Sequence, residues 1–220
     1  MFDFHTHSLF SDGELIPSEL VRRAVLNGYT AVAITDHVDF TNIEHVLTGL
    51  KKFGFHDELP CDRDIDVMIG VEISHLPPEK ISKLVRKAEV LNAELVIVHG
   101  ETIAEPVEKG TNRAAVSNPS VHILSHPGLI SEEEAELARE NDVYLEITSR
   151  KGHCLANGHV AMVAQAVGAK LLLNSDTHAP GDLLTKEFGA RILAGAGLNK
   201  SEVIKAMDKN PRELLKTIGR

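Results

Sequence analysis

Short apolar runs of strand length recur along the chain, and most are followed by a segment with helical periodicity. The runs cover residues 1–4, 30–34, 65–73, 95–98, 121–124, 143–147 and 170–173. They are rich in Val, Ile and Leu, as expected for strands of a parallel sheet buried on both faces. Between them, Pro17 opens a predicted helix that Gly28 closes, and residues 78–91 form another. Ser131-Glu132-Glu133-Glu134 reads as a capping box followed by an acidic first turn. Further helices are predicted over 43–53, 160–167, 185–196, 201–208 and 211–218.

Seven strand–helix alternations predict an α/β fold with crossover helices over a parallel sheet. An open doubly wound sheet is one solution. A distorted (β/α)7 TIM-like barrel is the preferred one, because it brings every strand end to a single face. The links at 55–64, 105–111 and 179–182 are too short for interdomain tethers, and no repeat is visible, so residues 1–220 are expected to form one domain.

Composition adds boundaries rather than detail. An apolar fraction of 43% and a charged fraction of 25% describe an ordinary globular chain. Cys61 and Cys154 fit neither a disulfide framework nor a zinc finger. The sequence begins without the basic and apolar regions of a signal peptide, and no apolar run approaches the roughly 20 residues of a membrane span. A soluble, cytoplasmic protein with reduced thiols and no membrane partner is expected. The net charge of −9 argues against a nucleic-acid partner on electrostatic grounds. A small phosphorylated ligand is still allowed, since bound divalent cations would reverse the local sign.

The chemistry lies in where the polar residues fall. There are 12 histidines against 2 tyrosines, and six of the seven runs end in a potential metal ligand. The first leads to His5-Thr6-His7 and then Ser11-Asp12-Gly13, the second to Thr35-Asp36-His37 and the third to Gly70-Val71-Glu72. The next two give Val98-His99-Gly100 and Ser125-His126-Pro127, and the seventh gives Ser175-Asp176-Thr177-His178. In a strand, side chains two residues apart share a face, so His5 pairs with His7 and Asp176 with His178. Carboxyl ends of parallel strands are where such folds build their sites. The remaining histidines, His45, His56, His75, His122, His153 and His159, fall in helices, loops or off strand ends, and are expected at the surface.

Imidazoles and carboxylates without thiolates suit Zn, Mn or Fe ions. The nine candidates (His5, His7, Asp12, His37, Glu72, His99, His126, Asp176 and His178) exceed the needs of one ion. Two or three divalent metal ions are expected, with Glu72 bridging a pair. A two-metal site of this kind is suited to hydrolysis, because it activates water and clamps attacking and leaving oxygens.

The ordered motifs His-x-His, Ser-Asp-Gly, Thr-Asp-His, Gly-x-Glu, His-Gly, Ser-His-Pro and Ser-Asp-x-His resemble the PHP (polymerase and histidinol phosphatase) family, from residue 3 to residue 178. The resemblance implies a distorted seven-stranded β/α barrel with a trinuclear metal centre and phosphoester hydrolysis. It implies one metal on His5, His7, Glu72 and Asp176, a second on Glu72, His99 and His126, and a third on Asp12, His37 and His178. Asp36 would orient its neighbours from behind.

The expected activity is that of a metal-dependent phosphomonoester phosphatase, similar to histidinol-phosphate phosphatases and using a metal-held hydroxide. Asp176, His178, His37 and Glu72 are the expected catalytic group. On the substrate side, Gly110-Thr111-Asn112-Arg113 offers helix-terminal N–H groups and a guanidinium to an anion. Arg150 and Lys151, after the strand at 143–147, offer two further cations. Glu101 and Glu105 are either polar contacts or loop surface, and Cys154 is expected to be incidental. The alternatives are a phosphodiesterase or exonuclease with the same metals, an amidohydrolase-type barrel, and a non-catalytic RNA-binding barrel of ribonuclease P type. An amidohydrolase would usually place a lysine among its ligands, and the RNA-binding barrel would be basic and have lost them.

Overall fold

The computed structural model describes residues 1–54 and 65–220. Cys61, His56 and the link expected at 55–64 lie outside the described residues. Eight strands are described: β1 (Phe2–Asp3), β2 (Ala31–Ile34), β3 (His37–Val38), β4 (Asp66–Ile73), β5 (Leu95–His99), β6 (Ile123–Ser125), β7 (Tyr144–Thr148) and β8 (Leu171–Asn174). All pair in parallel, in the order β1-β2-β4-β5-β6-β7-β8, with β3 also on β4.

The eighth strand arises because one expected strand is interrupted. Long β4 pairs β2 with its first half and β3 with its second, and Ile34↔Ile69 and His37↔Glu72 keep one register across the gap. At Thr35–Asp36 the chain turns instead to the first strand, where Thr35 N donates to Thr6 O at 2.8 Å. Geometrically the barrel therefore has the seven staves that the apolar runs predict.

It closes between β1 and β8, which excludes the open-sheet alternative. A parallel bridge joins Thr6 to Thr177, and His7 N donates to Thr177 O at 2.8 Å. Below that bridge the seam is held by side chains. Phe4 N donates to Asn174 Oδ1 at 2.9 Å and Ser175 N to Asp3 Oδ1 at 3.1 Å. Amide and carboxylate oxygens thus stand in for a ladder that the distorted geometry cannot form.

Helices α1 (Pro17–Leu26), α2 (Ile43–Gly54), α3 (Pro78–Val90), α4 (Thr111–Val116), α5 (Glu132–Glu140), α6 (Asn157–Val167) and α7 (Lys186–Gly195) follow the strands. Ser131 and Glu134 form the expected capping box at α5. The two helices predicted at the C-terminal end run on without a break: α8 (Lys200–Ile204), a π turn at Lys205–Lys209 and α9 (Asn210–Thr217). Pro211 has no N–H to donate, and the widened turn just before it absorbs the missing bond.

Two apolar layers result. Phe4, Ala33, Met68, Ile97, Ile123, Tyr144 and Leu172 fill the barrel interior, and a larger layer separates strands from helices. The interior layer fixes where the site must be. On β4, β5, β7 and β8, the face carrying Met68, Ile97, Tyr144 and Leu172 continues upward to Glu72, His99, Glu146 and Asn174. The apolar plug is therefore the floor of a polar chamber.

Candidate metal centre

The nine candidate ligands converge above that plug. His5, His7, Glu72, His99, His126 and Asp176 are buried, while Asp12 lies exposed at the rim. Asp176 Oδ1 lies 3.2 Å from His7 Nε2 and 3.7 Å from His5 Nε2, and its Oδ2 is 3.6 Å from His126 Nε2. Glu72 Oε1 lies 3.2 Å from His5 Nε2, and its Oε2 lies 2.7 Å from His37 Nδ1. At the rim, Asp12 Oδ1 stands 3.3 Å from His178 Nε2 and 3.7 Å from His37 Nε2.

Ligand-type atoms gather in several sets compact enough to surround one ion. These include His5, His7 and Glu72; His5, His126 and Asp176; and His7, Asp12, His37 and His178. His7 thus reaches the rim set as well as the buried one, which the family pattern did not anticipate. His99 and His126 group with a third imidazole, His153.

The site fits cations by a direct observation. His5 Nε2, both His7 ring nitrogens, His126 Nδ1, Glu72 Oε2 and Asp176 Oδ1 are buried without hydrogen-bond partners. Each unpaired buried polar atom costs about 1–3 kcal/mol, so such a concentration calls for a ligand. The donor set of imidazole and carboxylate is that of a divalent transition metal.

Titration behaviour differs from ligand to ligand. Burial disfavours the charged form of His5 and His37, yet Glu72 holds both above the ordinary imidazole value. Burial pushes the Asp176 carboxyl up, and it stands at about 7 even though His5 pulls it down. Burial also opposes ionisation of Glu72, but His5, His37 and His99 hold it well below the carboxylate range. At His7 and His126, burial drives the imidazoles well below their ordinary value, into the neutral form that metals require.

The local backbone is bent to present these groups. His126 has φ 25° and Asp176 φ 54°, left-handed conformations that cost about 1–3 kcal/mol at a non-glycine residue. Asp36 accepts from Ser8 N at 2.8 Å, Ser8 Oγ at 2.7 Å and Ser11 Oγ at 2.6 Å, and so anchors the loop between His7 and Asp12. Gly13 closes that loop, since a Cβ there would lie 2.3 Å from His7 O.

The expected substrate residues separate. Arg150 is half-buried, with Nη1 3.3 Å from Asp182 Oδ2, and the same oxygen accepts from His178 N at 3.0 Å. Arg150 is thereby tied to the loop that carries a candidate ligand. Lys151 is exposed beside it, and both line a small cavity with Ser149, Ser175 and Asp182. Arg113 is exposed on the outer surface, with Nη1 3.7 Å from Glu133 Oε2. The loop before it does hold an anion, but one supplied by the chain. Glu101 Oε1 accepts from Gly110 N and Asn112 N, both at 2.9 Å, so those N–H groups are already used.

Sequence reasoning missed two groups. Glu146 is buried, with Oε2 2.8 Å from His5 Nδ1. His153, expected at the surface, is buried, with Nδ1 2.6 Å from Thr102 Oγ1 and its ring 4.2 Å from that of His126. Its place in a 3₁₀ turn (His153–Ala156) just after β7 was the missing signal, because that turn folds back over the strand ends. Of the others, His45 is exposed and His122 and His159 are half-buried away from the cluster, whereas exposed His75 stands at its edge.

The fold and site define a parallel, nearly closed α/β barrel crowned by histidines and carboxylates that could hold metal ions. The PHP domain model matches residues 3–109, and the chain belongs to that family. It is 49% identical to an uncharacterized protein of Methanocaldococcus jannaschii, over 99% of both chains. A probable phosphatase of Thermoanaerobacter is 27% identical over 98% of this chain and 94% of that one. Ribonuclease P protein component 3 of Methanosarcina barkeri is 26% identical over 97% and 88%. Among solved structures, the histidinol phosphate phosphatase of Lactococcus lactis, complexed with zinc, L-histidinol and phosphate, superposes with a TM-score of 0.56 at 16% identity, covering 99% of this chain and 93% of that one. Among the described residues, no helix is long and apolar enough to cross a membrane.

Proposed function

We propose that this chain is a metal-dependent phosphoesterase acting on a small phosphomonoester. The observation that carries the reading is the set of buried, unpartnered atoms on His5, His7, Glu72, His126 and Asp176 at the mouth of the barrel. These residues, with His37, His99, His178 and Asp12, would hold two or three divalent ions. When bound, such ions supply Lewis acidity and a nucleophile at neutral pH.

The chain's own residues do the rest. Asp176 and Glu72, set between imidazoles on opposite walls, fix the positions of the reacting centre. His178 and His37 stand at the open rim, where a leaving oxygen would emerge and take a proton. Arg150, held by Asp182, presents a guanidinium on the same face for the phosphoryl oxygens. The net charge of −9 favours a small ester over a polyanion.

The ribonuclease P relative supports a second reading, a barrel that binds RNA without catalysis. The net charge of −9 and the retained ligand cluster both speak against it. Turnover of a phosphomonoester panel after reconstitution with Mn²⁺ or Zn²⁺, alongside a matched phosphodiester, decides between them. Monoester hydrolysis that Asp176→Asn abolishes is the expected result. Diester turnover alone would move the protein to the nuclease class, and no turnover with measurable RNA binding would establish the second reading.

A further inference from the structure

Beyond the nine strand-end ligands, a further set of side chains converges at the side of the centre formed by β5, β6 and β7. We propose that this chain holds one cation through His99, His126, His153 and Glu105, a set in which His153 and Glu105 lie outside the ligand pattern implied by the family resemblance. The inference rests on the metal-centre reading above and specifies how one of its ions is bound.

Glu105 approaches two of the three imidazoles, one through each carboxylate oxygen. Glu105 Oε2 lies 3.2 Å from His99 Nε2, and Glu105 Oε1 lies 3.4 Å from His153 Nε2. Ligand atoms about 2.0–2.2 Å from one ion, at tetrahedral or octahedral angles, are roughly 3.0–3.5 Å apart. The rings of His99 and His153 have centroids 4.4 Å and 4.2 Å from that of His126. All three are buried and offer nitrogens within 4.8 Å of one another.

The other ring nitrogens are consistent with this role. His153 Nδ1 is 2.6 Å from Thr102 Oγ1 and His99 Nδ1 is 3.2 Å from Gly100 O, so each ring is anchored from behind with Nε2 turned to Glu105. Ligating imidazoles are held in this way. His126 Nδ1 is buried with no hydrogen-bond partner, which leaves a nitrogen of the set available.

Glu72 approaches this set at His126, its Oε1 3.6 Å from His126 Nε2. The same oxygen accepts from Ser125 Oγ at 2.6 Å and lies 3.2 Å from His5 Nε2, while Glu72 Oε2 lies 2.7 Å from His37 Nδ1. Glu105 faces both His99 and His153. It sits on the loop between β5 and α4 with 40% of its side chain exposed, on the solvent side of the cluster. Exposed His75, with Nε2 3.4 Å from Glu105 Oε2, borders the same position. An ion here meets solvent, and any entering ligand, before the ions deeper in the barrel do.

The test counts metal rather than turnover. The purified chain is loaded with Zn²⁺, freed of loose metal by gel filtration, and analysed for zinc per chain. His153→Gln and Glu105→Gln should each lose about one equivalent relative to the unaltered protein, and the double variant no more than that. His45→Ala, at an exposed position away from the cluster, should keep the full count. Glu105→Gln is the safeguard against misfolding, because it alters a partly exposed loop; its metal-free melting temperature should match that of the unaltered chain. If both variants keep the full count, the inference is wrong and the metal centre stands on the other ligands. If the unaltered chain retains no zinc at all, the metal-centre reading falls, and this inference with it.

Discussion

Glu146 Oε2 lies 2.8 Å from His5 Nδ1, at the base of the ligand cluster, and both side chains are buried. The carboxylate also accepts from Asn174 Nδ2 at 2.9 Å, and its other oxygen from His126 N at 3.3 Å. One side chain on β7 thus sets the orientation of a candidate ligand just past β1 and the backbone of another just past β6. Because it holds Nδ1, it leaves His5 Nε2 to face Glu72 and Asp176.

Glu146→Gln should therefore weaken metal binding without touching a ligand. An amide in place of the carboxylate removes the charge that makes His5 a strong donor, and losses of this kind run to about 10–100-fold in affinity. Zinc titration against a competing chelator would show the change. An unaltered affinity would mean that Glu146 only supports packing.

How this site could be read in advance depends on alternation. Ile97 and His99, or Met68 and Glu72, lie on one face of their strands, so an apolar run ending in a polar residue signalled both the barrel floor and the group above it. His153 carried no such signal, because a 3₁₀ turn rather than a strand delivers it. Glu146 lies inside the apolar run 143–147, where a carboxylate is legible only once its partner His5, 141 positions earlier, is known. The Gly110–Arg113 segment failed in the opposite sense. Its N–H groups do face an anion, but sequence order cannot show that Glu101 folds back to fill the place. The break between β2 and β3 was equally invisible, since it arises from a hydrogen bond between Thr35 and Thr6.

Removal of metal should lower stability. With ions absent, the unpartnered atoms of His5, His7, Glu72, His126 and Asp176 have nothing to offset their burial. An ion present at a hundred times its dissociation constant contributes about 2.7 kcal/mol. For a chain of this size that corresponds to roughly 5–10 °C in Tm. Differential scanning calorimetry with and without a chelator measures it. The shift should shrink as pH falls below about 6, because protons compete with the ion for the imidazoles. A Tm indifferent to chelator would argue against any structural contribution from metal.

His122 gives a pH dependence unrelated to the centre. Burial lowers its pKa, and Nδ1 accepts from Val96 N at 3.0 Å, a bond that only the unprotonated nitrogen can make. The unfolded chain, with an ordinary imidazole, therefore takes up this proton first as pH falls. The stabilising contribution is complete above about 6.5 and is lost below it, at no more than about 1.4 kcal/mol per pH unit. His122→Asn keeps an acceptor for Val96 N and has nothing to titrate. Denaturant melts at pH 7.5 and 5.5 should show a smaller loss of stability for the variant than for the unaltered chain, with the other histidines cancelling in the difference. Equal losses would mean that His122 titrates alike in the folded and unfolded states.

Arg150 offers the sharpest test on the substrate side. Its guanidinium is oriented by Asp182, whose Oδ2 also accepts from His178 N and from Ala179 N at 2.8 Å. If Arg150 pairs with the phosphoryl oxygens in both the bound ester and the transition state, Arg150→Ala should raise KM by about tenfold or more and lower kcat/KM to match, since a charge-assisted hydrogen bond contributes about 1.5–3 kcal/mol. Arg150→Lys should recover only part of the loss, because an ammonium cannot offer two parallel N–H donors. Metal content should stay unchanged in both variants, since Arg150 touches no candidate ligand side chain. Asp182→Asn would separate the two jobs of the carboxylate: it keeps an acceptor for the loop amides but drops the charge that holds the guanidinium, so KM should rise while kcat is largely kept. If Arg150→Ala leaves KM where it was, the phosphate is bound elsewhere, and Lys151 becomes the next residue to replace.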